Sequence, residues 1–169
     1  QVIWQRLRAL LGEGRTLMRV MFEKSQRNPK RIVFPEGNSQ RILRASHLIK
    51  QEGIGHPVVL GNPDAINALA EEYDIDLNGV EIIDPAESPD REKYARRYYE
   101  KRQRKGLTLG EARDRMLAGI YYGVMMLDFG DGDAVLSGVA AAYPRTGGLI
   151  RGTPAASTRR PRPPSTPPP

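Results

Sequence analysis

Few residues in this chain are spaced for chemistry, and most candidate clusters have a plainer reading. Gly130-Asp131-Gly132-Asp133-Ala134-Val135 opens like a dinucleotide-binding fingerprint, whose glycines let backbone approach a pyrophosphate. That fingerprint must follow a strand and open a helix. This stretch does the reverse, and its third glycine is missing. Asp128, Asp131 and Asp133 could face a hard cation, but they do not fit the calcium-loop pattern, and a solvated turn explains them better. His47 and His56 lack metal-ligand spacing, and no Cys exists to complete a zinc site. No GxxxxGK[ST] motif occurs, which removes the P-loop mechanism. The basic run Lys101-Arg102-Gln103-Arg104-Lys105 could hold phosphate. It also lies where a helix should end, and there cations simply complement the macrodipole. On residue types alone the solvated reading is the better one.

One short loop stands out by position. Ile32-Val33-Phe34 is an apolar run closed by Pro35-Glu36-Gly37. An amphipathic segment follows, with Ile42, Leu43, Ala45, Leu48 and Ile49 on one face, until Gly53 and Gly55 stop it. Pro57-Val58-Val59-Leu60 is a second apolar run. Strands without polar alternation are buried on both faces, and strand–helix–strand is the unit of a parallel sheet. Ligands of open α/β sheets bind where strands give way to loops, so Pro35–Ser39 is the first place to look for chemistry.

The remaining elements extend this α/β pattern. Asn62-Pro63 starts a helix through Ile66, Leu69 and Ala70 to about Tyr73. Val80–Ile83 reads as a third strand. Ser88-Pro89 repeats the cap-plus-proline start for a charged helix over Asp90–Lys105, closed by Gly106. Thr108-Leu109-Gly110-Glu111 is a capping box, after which Met116, Ile120, Val124 and Leu127 recur at helical spacing. Gly119 and Gly123 beside them allow close approach. Asp133–Ser137 is a fourth strand, with Gly138 after it. Ahead of all this, Trp4, Leu7, Leu11, Met18 and Phe22 form a helical stripe, read as a helix packed on the domain's flank.

The chain of 169 residues suits one domain with a real core. Its net charge of +6 suggests nucleic acid until the charge is located. Residues 151–169 carry four Arg and no acid, so residues 1–150 hold 22 basic against 20 acidic residues, near balance. With seven Pro and five Ser or Thr, that terminal stretch reads as a disordered tail, and no nucleic-acid partner is expected. No apolar run approaches the roughly 18 residues of a spanning helix, so no membrane partner is expected either. The absence of Cys fits a reducing, cytoplasmic setting. The first residue is Gln, within a helical pattern, and the chain is expected to be a piece of something longer.

Six ordered blocks go beyond generic pattern: KRIVFPEGNSQRILRA, GHPVVLGNPDAI, VEIIDP, YYEKRQRKGLTLGEA, YGVMML and GDGDAVLSGV. They resemble phosphate acetyltransferases, and most closely the acetyltransferase-like domain at the C-terminus of bacterial NADP-dependent malic enzymes. The likeness implies a linker-like helical segment over 1–30, the first lobe of a phosphotransacetylase-like three-layer α/β sandwich with a mostly parallel sheet over 31–148, and a tail over 149–169. It implies coenzyme A or acetyl-CoA as the ligand of the domain, with acetyl phosphate as the other small-molecule substrate or effector. It further implies a homo-oligomeric parent. NADP and a divalent metal would belong to a malic domain outside this chain.

The resemblance also carries site positions. Arg102 falls on the family's arginine before the Lys-Gly turn and is expected to clamp phosphate or cofactor. Glu36, Gly37, Ser137 and Gly138 match positions lining the cleft. The family's catalytic serine and aspartate have no counterpart here, so no residue of this chain is expected to be catalytic and none to bind metal. After Val139 the match fails: where the family has an acid-Thr-x-Arg-Pro pattern, this chain reads Tyr143-Pro144-Arg145-Thr146-Gly147-Gly148. Two functions follow as expectations. One is a domain serving acetyl-CoA regulation and oligomerisation in a malic enzyme converting malate to pyruvate and CO2. The alternative is a genuine acyltransferase exchanging acetyl between acetyl phosphate and coenzyme A.

Overall fold

A computed structural model describes residues 17–138. The expectations for Trp4 to Leu11, for Tyr143–Gly148 and for the tail over 149–169 lie outside the described residues.

The anticipated strand–helix–strand unit forms around the Pro35–Ser39 loop. Helix α1 covers residues 17–27 and leads into β1, Lys30–Phe34. Helix α2, Gln40–Gln51, returns the chain to β2, Gly55–Leu60, which pairs parallel to β1 with Ile32 opposite Pro57 and Phe34 opposite Val59. Helix α3, Pro63–Glu72, precedes β3, Glu81–Ile83. Then come α4, Arg91–Arg102, a 3-10 turn over Gln103–Lys105, α5, Leu109–Arg115, α6, Gly119–Phe129, and β4, Ala134–Val135. The sheet is parallel throughout, in the order β3-β2-β1-β4.

Alternation along the central strands makes two cores. Val33, Val58 and Leu60 face α4, α5 and α6 and pack with Tyr94, Tyr98, Met116, Tyr122, Met125 and Met126. Phe34 and Val59 face the other way, onto Ile42, Leu43, Ile66 and Ala70 of α2 and α3. Apolar side chains on both faces of β1 and β2 therefore require helices on both sides, and the three-layer α/β sandwich follows.

Local signals explain most element ends. The Asn62 side chain accepts from the Ala65 amide at 3.0 Å, and Pro63 needs no partner for the N–H it lacks. Glu111 and Thr108 close the expected capping box, at 2.8 and 3.2 Å. Gly106 and Gly130 end their helices in the left-handed region.

Three expectations need correction. Leu48, placed on the inward face of α2, is 54% exposed; Ser46 takes the buried position beside Ile42 and Leu43. Ser88-Pro89 does not open α4, which starts at Arg91. The Ser88 hydroxyl bonds Tyr122 Oη and accepts weakly from the Asp90 amide, so it organises the turn before the helix. The periodic run after Thr108 is not one helix. It breaks at Met116–Ala118, because Gly119 must sit against the end of β1, where a β-carbon would stand 2.4 Å from the Pro35 carbonyl oxygen.

Two of these details have measurable consequences. The Ser46 hydroxyl is fully buried with no partner among the described residues. Burying an unmatched hydroxyl is costly, and Ala is the better helix former. Ser46→Ala is therefore expected to stabilise the chain by up to about 1 kcal/mol, seen as a melting temperature a few degrees higher; a lower one would mean that the hydroxyl has a partner.

The second detail concerns acid stability. Glu92 on α4 receives Nε and Nη2 of Arg113 on α5, both at 2.8 Å, and Nε of Arg96 at 3.0 Å. The Arg113 fork, followed by Arg96, pulls the Glu92 carboxyl from its ordinary 4.5 down to about 2. A depressed folded-state value adds stability above the unfolded value near 4.5 and loses it as pH falls through that window toward 2. Glu92→Gln is expected to be less stable than the parent at neutral pH. Its stability should also fall less steeply between pH 4.5 and 2, and identical slopes would deny the linkage.

Candidate functional site

The strand order places the topological switch point between β1 and β4. From β1 the chain winds outward through β2 to β3, then returns to add β4 on the other side. The carboxyl ends of the strands at such a switch point are the standard ligand position in open α/β sheets.

Glu36, Ser137 and Gly138 meet at this point. The Glu36 carboxylate oxygen Oε1 accepts from the Ser137 hydroxyl at 3.0 Å and from the Gly138 amide at 3.1 Å. Residues 101 and 102 positions apart thus join the two loops. Gly138 adopts a φ of 122°, which a side chain would resist. Next to it, the Gly37 amide donates to the Leu60 carbonyl at 3.1 Å, and the Gly61 amide donates to the Ile83 carbonyl at 3.0 Å. These bonds carry the parallel ladder past the strand ends and bring the loops after β1, β2 and β3 side by side.

A concavity of about 380 Å³ opens over these loops, lined by Gly37, Asn38, Asn62, Asp84, Leu117 and Gly119 among others. A larger concavity of about 430 Å³ lies beside the edge strand β3. Its polar walls largely satisfy one another: Arg31 with Glu81, Ser88 with Tyr122, and Tyr94 with Asp131. The smaller one, at the carboxyl ends of β1 and β2, is the better candidate for ligand.

Arg102 is placed differently. It ends α4, half-buried, with its guanidinium carbon 5.9 Å from the centre of the Tyr98 ring. The neighbouring Lys101 pairs with Asp128, and so does Arg97. Thus four of the five expected positions gather at the strand ends, while Arg102 belongs to an aromatic cluster on α4. The three aspartates near residue 130 are engaged separately: Asp128 as stated, Asp131 by Tyr94 and Lys93, and Asp133 by the Arg31 amide and Lys30.

Sequence reading singled out Asn38 within Pro35–Ser39 but missed Gly61, Asn62 and Gly119 as lining residues. A signal was present: Gly37-Asn38 and Gly61-Asn62 are the same dipeptide, each just beyond an apolar strand. Arg115 was missed as well. Nothing in the sequence links it to Tyr98, although its Nη1 donates to that hydroxyl at 3.1 Å.

A parallel sheet wound in both directions from β1, with helices on both faces and a polar latch at the switch point, defines a three-layer α/β domain. Comparison with known proteins narrows the class. The sequence pattern of the phosphate acetyl/butaryl transferase family matches residues 16–148, and the chain belongs to that family. It is 40% identical to the phosphate acetyltransferase of Thermoanaerobacterium thermosaccharolyticum over 80% of this chain and 40% of that protein. It is 42% identical to the phosphate acetyltransferase of Synechocystis over 64% of this chain and 16% of that protein. Among solved structures, a phosphotransacetylase from Streptococcus pyogenes superposes with a TM-score of 0.74 at 31% identity, over 82% of this chain and 41% of that one. The EutD phosphotransacetylase from Staphylococcus aureus gives 0.73 at 26% identity, over 85% and 44%. The chain thus spans less than half the length of these relatives.

Proposed function

We propose that this chain is the first-lobe portion of a phosphate acetyltransferase, which exchanges acetyl between acetyl phosphate and coenzyme A. The observation that supports it best is the 40% identity, over 80% of the chain, to a relative carrying that name. In the proposed reaction the coenzyme A thiolate attacks the carbonyl carbon of acetyl phosphate. A carbon–sulfur bond forms, the carbon–oxygen bond to phosphate breaks, and inorganic phosphate leaves; the thiol proton passes to a base.

The residues here would bind and position rather than transfer protons. Arg102 would hold a phosphate with its planar donor fork. Glu36, through Ser137 and Gly138, would fix the two loops that flank the crevice. By itself the chain is expected to show no turnover, since a clamp without the opposing wall forfeits most of the positional advantage. The expected homo-oligomer and cytoplasmic setting are part of this proposal.

The malic-enzyme placement gains no support from the relatives described above, and the genuine acyltransferase is the reading adopted. The experiment is an assay of the complete gene's product for acetyl-CoA formed from acetyl phosphate and coenzyme A. Thioester formation is expected. Its absence, with malate-dependent reduction of NADP in its place, would restore the other reading.

A further inference from the structure

Four of the cations on α4 are paired. Lys93, Arg96, Arg97 and Lys101 each face a carboxylate, from Asp90 and Asp131, Glu92, Glu100 and Asp128, and Asp128 respectively. Arg102 and Arg115 have no ion pair among the described residues. Both are held by an aromatic ring. The Arg102 guanidinium lies 5.9 Å from the Tyr98 centroid, and that of Arg115 lies 6.0 Å from Tyr98 and 5.7 Å from Tyr121. The Tyr98 ring is itself fixed, 7% exposed and edge-on to Tyr121 at 5.7 Å. Glu111, the carboxylate one turn before Arg115, hydrogen-bonds Thr108 in the capping box and attracts Arg115 at longer range without pairing with it.

An aromatic ring orients a guanidinium while leaving most of its N–H donors unused. Arg115 spends one donor on the Tyr98 hydroxyl, which accepts it and keeps its own proton to give. Two separate helices therefore bring two guanidiniums that lack an ion pair among the described residues, and a phenol donor, to one ring. Two guanidiniums against one ring, with donors to spare, suit an anion with several acceptor oxygens.

We propose that Arg115, together with Arg102 and the Tyr98 hydroxyl, binds a phosphate group of the acyl-transfer ligands. The identity of the ligand rests on the proposed function; the assignment of Arg115 rests on this geometry. Coenzyme A and acetyl phosphate both carry the required chemistry, and separate titrations distinguish them.

The test is calorimetric titration of the full chain with each compound, using the parent, Arg115→Ala, Arg115→Lys and Arg96→Ala. One compound is expected to bind the parent, and Arg115→Ala is expected to weaken that binding about tenfold. Arg115→Lys should recover only part, since an ammonium lacks the planar fork. Arg96→Ala removes the same charge from a paired position and should change affinity less than about twofold. Equal losses in Arg115→Ala and Arg96→Ala would assign the effect to overall charge and overturn the proposal. Parent-like affinity in Arg115→Ala would also overturn it, while leaving the acyl-transfer reading standing. Failure of the parent to bind either compound would overturn the proposal, while the acyl-transfer reading is decided separately by the assay of the complete gene's product. Arg115 is exposed, so an unchanged melting temperature is expected to show that each variant is folded.

Discussion

Gly37→Ala is expected to destabilise the chain by about 3 kcal/mol and to lower its melting temperature by roughly 10 °C. A β-carbon there would stand 2.6 Å from the Leu60 carbonyl oxygen, 2.7 Å from Val59 Cγ1 and 2.8 Å from Ile66 Cδ1. The first of these atoms is backbone in the middle of the sheet, and it also accepts the Gly37 amide. The loop cannot retreat from the clash without losing that bond, so overpacking of about 1–3 kcal/mol and a broken hydrogen bond of about 1 kcal/mol act together. Gly110→Ala is the matching control. It lies in α5 with only the Thr108 hydroxyl nearby, 4.0 Å away, and should be neutral or slightly stabilising. Thermal melts of the two variants check the claim; equal melting temperatures would contradict the tight stitching of the loops after β1 and β2.

Tyr94→Ala is expected to cost more, about 3–5 kcal/mol, a large part of the stability of an ordinary domain. Tyr94 is 1% exposed, packs against Tyr122 at 5.0 Å and Phe129 at 5.2 Å, and donates its hydroxyl proton to Asp131 at 2.6 Å. It thereby ties α4 to the end of α6. Tyr94→Phe keeps the ring and should cost only about 1–2 kcal/mol, because Asp131 retains Lys93. Burial, and then the Asp131 hydrogen bond, push the Tyr94 hydroxyl above its ordinary 10. A raised folded-state value contributes stability that is complete below pH 10 and fades as pH climbs past it. Tyr94→Phe should therefore lose part of the alkaline slope. Chemical denaturation of both variants at neutral and alkaline pH measures all three quantities.

Much of this architecture was legible because its causes are local. Apolar runs of strand length around an amphipathic helix announced β1, α2 and β2, and Asn62-Pro63 and Thr108–Glu111 announced the starts of α3 and α5. Errors arose where a distant contact overruled a local one. The repeating pattern from Met116 to Leu127 favours one helix, but the approach of Gly119 to Pro35 imposes a break, and those residues are more than 80 positions apart. Ser88-Pro89 has the composition of a helix start, yet the Ser88 hydroxyl is taken by Tyr122. Leu48 fits the inward stripe of α2 on periodicity, but the helix is rotated so that Ser46 points inward instead.

The site divides in the same way. Strand ends predict where a ligand crevice forms, so Pro35–Ser39 could be singled out by position. That Glu36 would reach across to Ser137 and Gly138 depends on β4 joining beside β1, and the order of strands in a sheet is not written in any one segment. Arg115 was invisible for a related reason: its role depends on the angle between α4 and α5.

Amide exchange on the full chain, with and without coenzyme A, tests most directly whether the latch between β1 and β4 marks the ligand end of the sheet. Slower exchange on binding is predicted for residues 36–38 and 137–138. Slowing confined to the concavity beside β3, around residues 84–90 and Asp131, would contradict it.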